Sequence, residues 1–83
     1  MLALVSSMPV VKRFSNCRIA IYPRDHRPPH VHVEFRDGSR VKVEIDGLHV
    51  SGLVKPASRL DAAMRWIVEN RRMLSALWKE IVR

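Results

Sequence analysis

This chain places three of its four histidines within seven positions, at His26, His30 and His32. Histidine titrates near neutral pH and is the commonest metal ligand, so such a cluster can transfer protons or bind a metal ion. Asp25 precedes the cluster, and the proline pair at 28–29 stiffens the turn that leads into a strand. We therefore predict that the functional site lies in this segment.

Three functions fit the cluster, and the residues alone leave all three open. In a metal site, His30 and His32 share an ion such as zinc with His26, although we favour no cofactor. In a ribonuclease-like site, the same three histidines are the catalytic acid and base that act on an RNA phosphodiester. In a structural or protein-binding site, they belong to the solvated face of a half-covered sheet.

Other polar residues have supporting roles in the catalytic interpretation. Cations would neutralise the phosphate charge, and carboxylates near the histidines would orient their rings. The predicted substrate-binding residues are Arg18, Arg27, Lys42 and Tyr22, with Arg40 as a further candidate cation. The predicted supporting residues are Asp25, Glu44, Asp46, Pro28 and Pro29.

The composition indicates one small, strongly basic domain. Its 83 residues have room for a single thin core. A net charge of +7 favours an acidic or polyanionic partner, such as RNA or an acidic protein. The single cysteine, Cys17, excludes an internal disulfide and fits a reducing cytoplasm. No run approaches the roughly 20 apolar residues that a membrane-spanning helix needs, so we expect no membrane partner and a cytoplasmic location.

Alternating apolar residues predict an antiparallel sheet of about four strands. The predicted strands cover residues 10–14, 17–22, 30–35 and 40–46, with at most a short further strand near 48–50. In the third strand, alternation puts His30 and His32 on the face away from the core. A three-residue loop at 37–39 would bring apolar residues opposite one another, and it predicts His32 opposite Glu44 and His30 opposite Asp46.

One long C-terminal helix is predicted over residues 59–82, with Ser58 as its N-cap. Its apolar stripe would pack across the apolar face of the sheet, and Arg71 interrupts that stripe as a snorkelling side chain. A basic line on the opposite helix face consists of Arg65, Arg72 and Lys79. The predicted fold is therefore α+β, with a single domain at residues 8–83 and a flexible N-terminal extension at residues 1–7.

A D-H-x-P-P-H-x-H segment at residues 25–32 is followed by Gly47 and Gly52, then by Trp66-Ile67 and a helix end that reads L-S-A-L-W. In these features the chain resembles a family of small bacterial proteins, the domain of unknown function 4160 family. The resemblance runs from Met8 to about Trp78, and it covers nearly the whole chain.

The resemblance implies the toxin half of a bacterial type II toxin–antitoxin module, because such proteins are often encoded beside a second small domain of unknown function. It implies a small acidic antitoxin-like partner that neutralises the basic chain. We therefore expect a toxin that binds or cleaves RNA through a histidine-rich, open sheet face. The alternative is a non-enzymatic protein- or metal-binding module that uses the same face. Exposed sheet edges also permit a homodimer.

Overall fold

The computed structural model describes residues 10–82, and within them the fold is α+β, as predicted. The sheet has five strands rather than about four: β1 Val10–Arg13, β2 Cys17–Ala20, β3 His30–Phe35, β4 Arg40–Glu44 and β5 Val50–Gly52. They lie side by side in chain order, and every neighbouring pair is antiparallel. The predicted extension at residues 1–7 lies outside the described residues.

The predicted single helix is divided in two at Asn70. A turn of 3-10 helix, Ala57–Leu60, precedes α1 (Asp61–Glu69) and α2 (Arg71–Ile81). Asn70 leaves the helical region with φ −117° and ψ 23°, and its side-chain Nδ2 donates to the Trp66 carbonyl at 2.8 Å. The Trp66 carbonyl at the end of α1 thus accepts both the backbone N–H and the side-chain amide of Asn70. Ser58 lies inside the 3-10 turn, so our prediction of it as the helix N-cap is wrong.

The core joins one face of the sheet to the helices, as the apolar patterns predict. Alternate residues of β2, β3 and β4 form one buried cluster with the apolar stripe of the helices. Its members include Cys17, Ile19, Val31, Val33, Val41, Val43, Ala63, Ile67, Leu74 and Trp78. Burial raises the pKa of the Cys17 thiol, and nearby Arg59 lowers it to a smaller extent, as expected for a core cysteine.

The predicted register between β3 and β4 is wrong by two residues. His30 lies opposite Glu44 rather than Asp46, and His32 lies opposite Lys42 rather than Glu44. Since a shift of two residues leaves every side chain on its predicted face, the apolar pattern fits both registers equally well.

The loop between β3 and β4 begins one residue earlier than predicted and spans residues 36–38. The Phe35 N–H donates to the Ser39 carbonyl at 2.8 Å, and the Gly38 N–H donates to the Phe35 carbonyl at 3.0 Å. Gly38 closes the loop with φ 93°, a conformation that glycine adopts without steric cost.

Arg71 fastens α2 to the turn that follows β4. Its Nε donates to the Ile45 carbonyl at 3.0 Å, and its Nη2 donates to the carbonyl of Asp46. The interruption of the apolar stripe thus has a structural role, because the guanidinium satisfies two backbone acceptors where the strand ends. Among residues 10–82, no helix is long and apolar enough to cross a membrane.

Candidate functional site

The connection between β2 and β3 turns back over the sheet and orients an acid. Within it, the Asp25 N–H donates to the Tyr22 carbonyl at 3.1 Å. The Tyr22 N–H donates in return to Asp25 Oδ2, also at 3.1 Å. These reciprocal bonds close the turn and fix the direction of the carboxylate.

The Asp25 carboxylate contacts both histidines of β3. His32 Nε2 lies 3.1 Å from Oδ1 and 3.0 Å from Oδ2, and His30 Nε2 lies 3.7 Å from Oδ2. The two imidazole rings meet edge to face, with centroids 4.9 Å apart. We call Asp25, His30 and His32 the Asp-His cluster.

The Asp-His cluster is largely enclosed. The exposed fraction is 9% for the His30 side chain, 13% for His32 and 14% for Asp25. The Trp78 ring of α2 lies 5.2 Å from the His30 ring, and the Tyr22 ring lies 5.0 Å from the His32 ring. We predicted an open face here, but strand alternation carries no information about the connection and the helix that pack against these two rings.

A backbone carbonyl determines the tautomer of His30. Its Nδ1 lies 2.8 Å from the carbonyl oxygen of Pro28. Because a carbonyl only accepts hydrogen bonds, Nδ1 carries the proton, and neutral His30 keeps the lone pair on Nε2. That lone pair is on the ring atom nearest to Asp25, so the proline segment orients His30 for proton transfer or for metal binding.

A second carboxylate engages two of the predicted substrate-binding residues. Glu34 accepts a 2.6 Å hydrogen bond from the Tyr22 hydroxyl, and it forms an ion pair with Arg18, whose Nε lies 2.9 Å from Oε1. Burial opposes ionisation of Glu34, but these two bonds and the charge of Arg18 outweigh it and lower its pKa. Burial and the bond to Glu34 raise the pKa of Tyr22.

The register aligns cations across the polar face of the sheet. Arg13 lies opposite Arg18, Arg18 opposite Glu34, and Glu34 opposite Arg40, so these four side chains form one row across β1–β4. Lys42 follows in the next row, opposite His32. We call the surface formed by Arg13, Arg18, Arg40 and Lys42 the cationic face. Arg13 is absent from our sequence predictions, because only the pairing of β1 with β2 places it in this row.

A cleft of about 250 Å³ borders the Asp-His cluster. Besides Asp25 and His30, its lining includes His26, Arg27, Lys42, Glu44 and His49. His26 and Arg27 are exposed on the connection, whereas Lys42 and Glu44 come from β4. His49 is absent from the predicted site residues, because it lies far along the chain and reaches the cleft only through the turn between β4 and β5.

The structure brings together some predicted site residues and separates others. The described residues that could hold a metal ion together are Asp25, His30 and His32, whose donor atoms all lie within 4.8 Å of one another. His26, a predicted ligand, lies outside this group and lines the cleft. Asp46 lies in the turn after β4, where Arg71 binds its carbonyl.

Comparison with known proteins supports the resemblance seen in the sequence. A search of curated proteins and a search of solved structures each found no match. The model of the domain of unknown function DUF4160 matches residues 16–79, which include all of the Asp-His cluster and most of the fold. This match covers well over half of the sequence, and the chain therefore belongs to the DUF4160 family.

Proposed function

We propose that this protein is the toxin component of a bacterial type II toxin–antitoxin module and that it binds and cleaves RNA in the cytoplasm. One observation carries the proposal: the cationic face leads directly to the Asp-His cluster. Lys42 belongs to that face, lies opposite His32 and lines the cleft beside His30. A polyanion held on the cationic face would therefore reach the cluster.

The cationic face suits the backbone of a single-stranded nucleic acid. Phosphate contacts by arginine and lysine supply most of the affinity of sequence-independent binding. Arg13, Arg40 and Lys42 are exposed, and Glu34 is the one carboxylate in their row. Glu34 is already paired with Arg18, so it leaves the other cations available to phosphates.

The Asp-His cluster is the proposed reactive centre. It combines a carboxylate with one imidazole at hydrogen-bond distance, His32 at 3.0 Å, and a second imidazole, His30, at 3.7 Å. Enclosure strengthens electrostatic interactions by excluding water. A small acidic partner, the proposed antitoxin, would bind the same basic chain and oppose its action by competing with RNA.

The enclosure of the cluster favours a second candidate, a non-enzymatic module that binds a protein partner. Side chains exposed by only 9–14% are typical of groups that maintain a fold. In that case, removing an imidazole would change stability without removing any toxic activity.

Inducible expression in a bacterial host distinguishes the two candidates. The wild-type protein should arrest growth, and the His30→Ala and His32→Ala variants should relieve the arrest at equal protein abundance. His49→Ala is the matched control, since it removes a cleft histidine that lies outside the cluster. A harmless wild-type protein, or cluster variants that remain fully toxic, would refute the enzymatic proposal.

A further inference from the structure

Two donor separations in the Asp-His cluster are close to those that a metal ion requires, and all three donor atoms lie within 4.8 Å of one another. Asp25 Oδ2 lies 3.0 Å from His32 Nε2 and 3.7 Å from His30 Nε2. Ligand atoms bound to a tetrahedral ion at about 2.1 Å lie about 3.4 Å from one another. The two observed separations bracket that value, so small side-chain movements would bring these donors into coordinating positions.

The outer contacts of the cluster are those that metal ligands use. His30 donates its Nδ1 proton to the Pro28 carbonyl and directs Nε2 toward Asp25. Asp25 is in turn held by the backbone N–H of Tyr22. A ligating histidine usually donates its other ring N–H to a carbonyl or a carboxylate, and a ligating carboxylate usually accepts a hydrogen bond as well.

We propose that the Asp-His cluster binds one divalent transition metal ion, such as zinc, through Asp25 and the Nε2 atoms of His30 and His32. Two imidazoles and one carboxylate suit ions of this class. Three protein ligands leave a fourth tetrahedral position open, as in catalytic rather than structural zinc sites. Binding uses the Nε2 lone pair of His32, so the ion would replace the hydrogen bond between this atom and Asp25.

The role of the bound ion rests on the proposed function, but the existence of the metal site does not. The cluster borders the cleft that Lys42 and Glu44 also line, so a group in the fourth position would enter from there. A bound ion would supply a Lewis acid to a phosphodiester held by the cationic face. His30 and His32 would then be ligands, and His26 and Arg27 would remain free at the mouth of the cleft.

Metal loading of protein that carries no histidine tag tests the site. The chain is stripped with chelator, loaded with Zn²⁺, dialysed, and analysed for metal per protein; a Co²⁺-loaded sample is examined by visible spectroscopy. We expect one equivalent of zinc and the absorption of tetrahedral Co²⁺. Asp25→Asn, which preserves side-chain shape, and His32→Ala should each lower zinc affinity at least tenfold.

The controls are His26→Ala and His49→Ala, which remove histidines outside the cluster and should retain full binding. Circular dichroism checks that every variant is folded, and Asp25→Asn keeps the test valid if an alanine variant is not. Substoichiometric zinc in the wild type, or equal binding by wild type and Asp25→Asn, would overturn the inference. The assay contains no RNA: a metal-free protein that arrests growth refutes only the metal site, whereas a harmless metalloprotein refutes only the toxin.

Discussion

The salt dependence of the proposed RNA binding offers a quantitative test of the cationic face. Of its four cations, Arg18 is paired with Glu34 at 2.9 Å, which leaves Arg13, Arg40 and Lys42 to neutralise phosphates. Each phosphate contact to a single strand contributes about −0.7 to the slope of log affinity against log salt. Three contacts give a slope of about −2, so affinity should fall about 20-fold between 50 and 200 mM salt.

Replacing Arg40 with alanine should remove one of these contacts. The slope should become about −1.4, and the same increase in salt should then weaken binding only about 7-fold. The assay is fluorescence anisotropy of a labelled single-stranded RNA titrated with protein at several salt concentrations.

The matched control is Arg65→Ala, which makes the same charge change at an exposed position of α1. Because α1 packs against the other face of the sheet, this variant should keep the wild-type slope. If Arg65→Ala makes the slope as much less steep as Arg40→Ala does, binding depends on net charge alone and the reasoning about the cationic face is wrong.

Two further predictions concern stability. Since the pKa of Glu34 is lowered on folding, its ionised form stabilises the protein above pH 4.5 and loses that effect as the pH falls through the folded pKa. Glu34→Gln should therefore lower the free energy of unfolding at pH 7 by about 1 kcal/mol, and chemical denaturation at pH 7 and pH 3 should show the difference shrinking. Arg71→Ala should lower the free energy of unfolding by about 1 kcal/mol, because two carbonyls lose the hydrogen bonds that Arg71 donates. The control is the exposed neighbour: Arg72→Ala should change the free energy of unfolding by no more than about 0.5 kcal/mol in the same assay. Equal effects of the two substitutions would contradict the anchoring role of Arg71.

The buried and exposed faces of the strands can be predicted from the sequence, because the alternation of apolar and polar residues is a local property. Val31 and Val33 are buried in the core, while His32 points to the other side, as their spacing predicts. Register is not local in this sense. Two registers that differ by two residues bury the same side chains, and the choice between them depends on the geometry of the loop around Gly38.

The division of the helix at Asn70 was equally hidden from the sequence. Ile67 and Leu74, on either side of it, are both fully buried and seven residues apart, so the apolar stripe continues without a change of phase. Asparagine is only a weak helix breaker, and its side-chain bond to the Trp66 carbonyl is a local contact that the apolar pattern does not reveal.

The residue types were enough to locate the candidate site, but which residues belong to it depends on the fold. The spacing of His30 and His32 places both on one strand face, whereas Asp25 joins them only because the connection folds back through two bonds with Tyr22. An irregular connection has no periodicity from which such a contact could be predicted. For the same reason His26, the predicted third ligand, lies outside the Asp-His cluster and lines the cleft instead.

Tyr22 is the residue through which the cationic face and the Asp-His cluster are joined. Its hydroxyl binds Glu34, its ring packs against His32, and its backbone N–H holds Asp25. Glu34 in turn holds Arg18, so one chain of contacts runs from the cationic face to the carboxylate of the cluster. The cationic face and the cluster thus share Tyr22 but use different atoms of it, so a movement of the Tyr22 hydroxyl need not move the backbone N–H that holds Asp25.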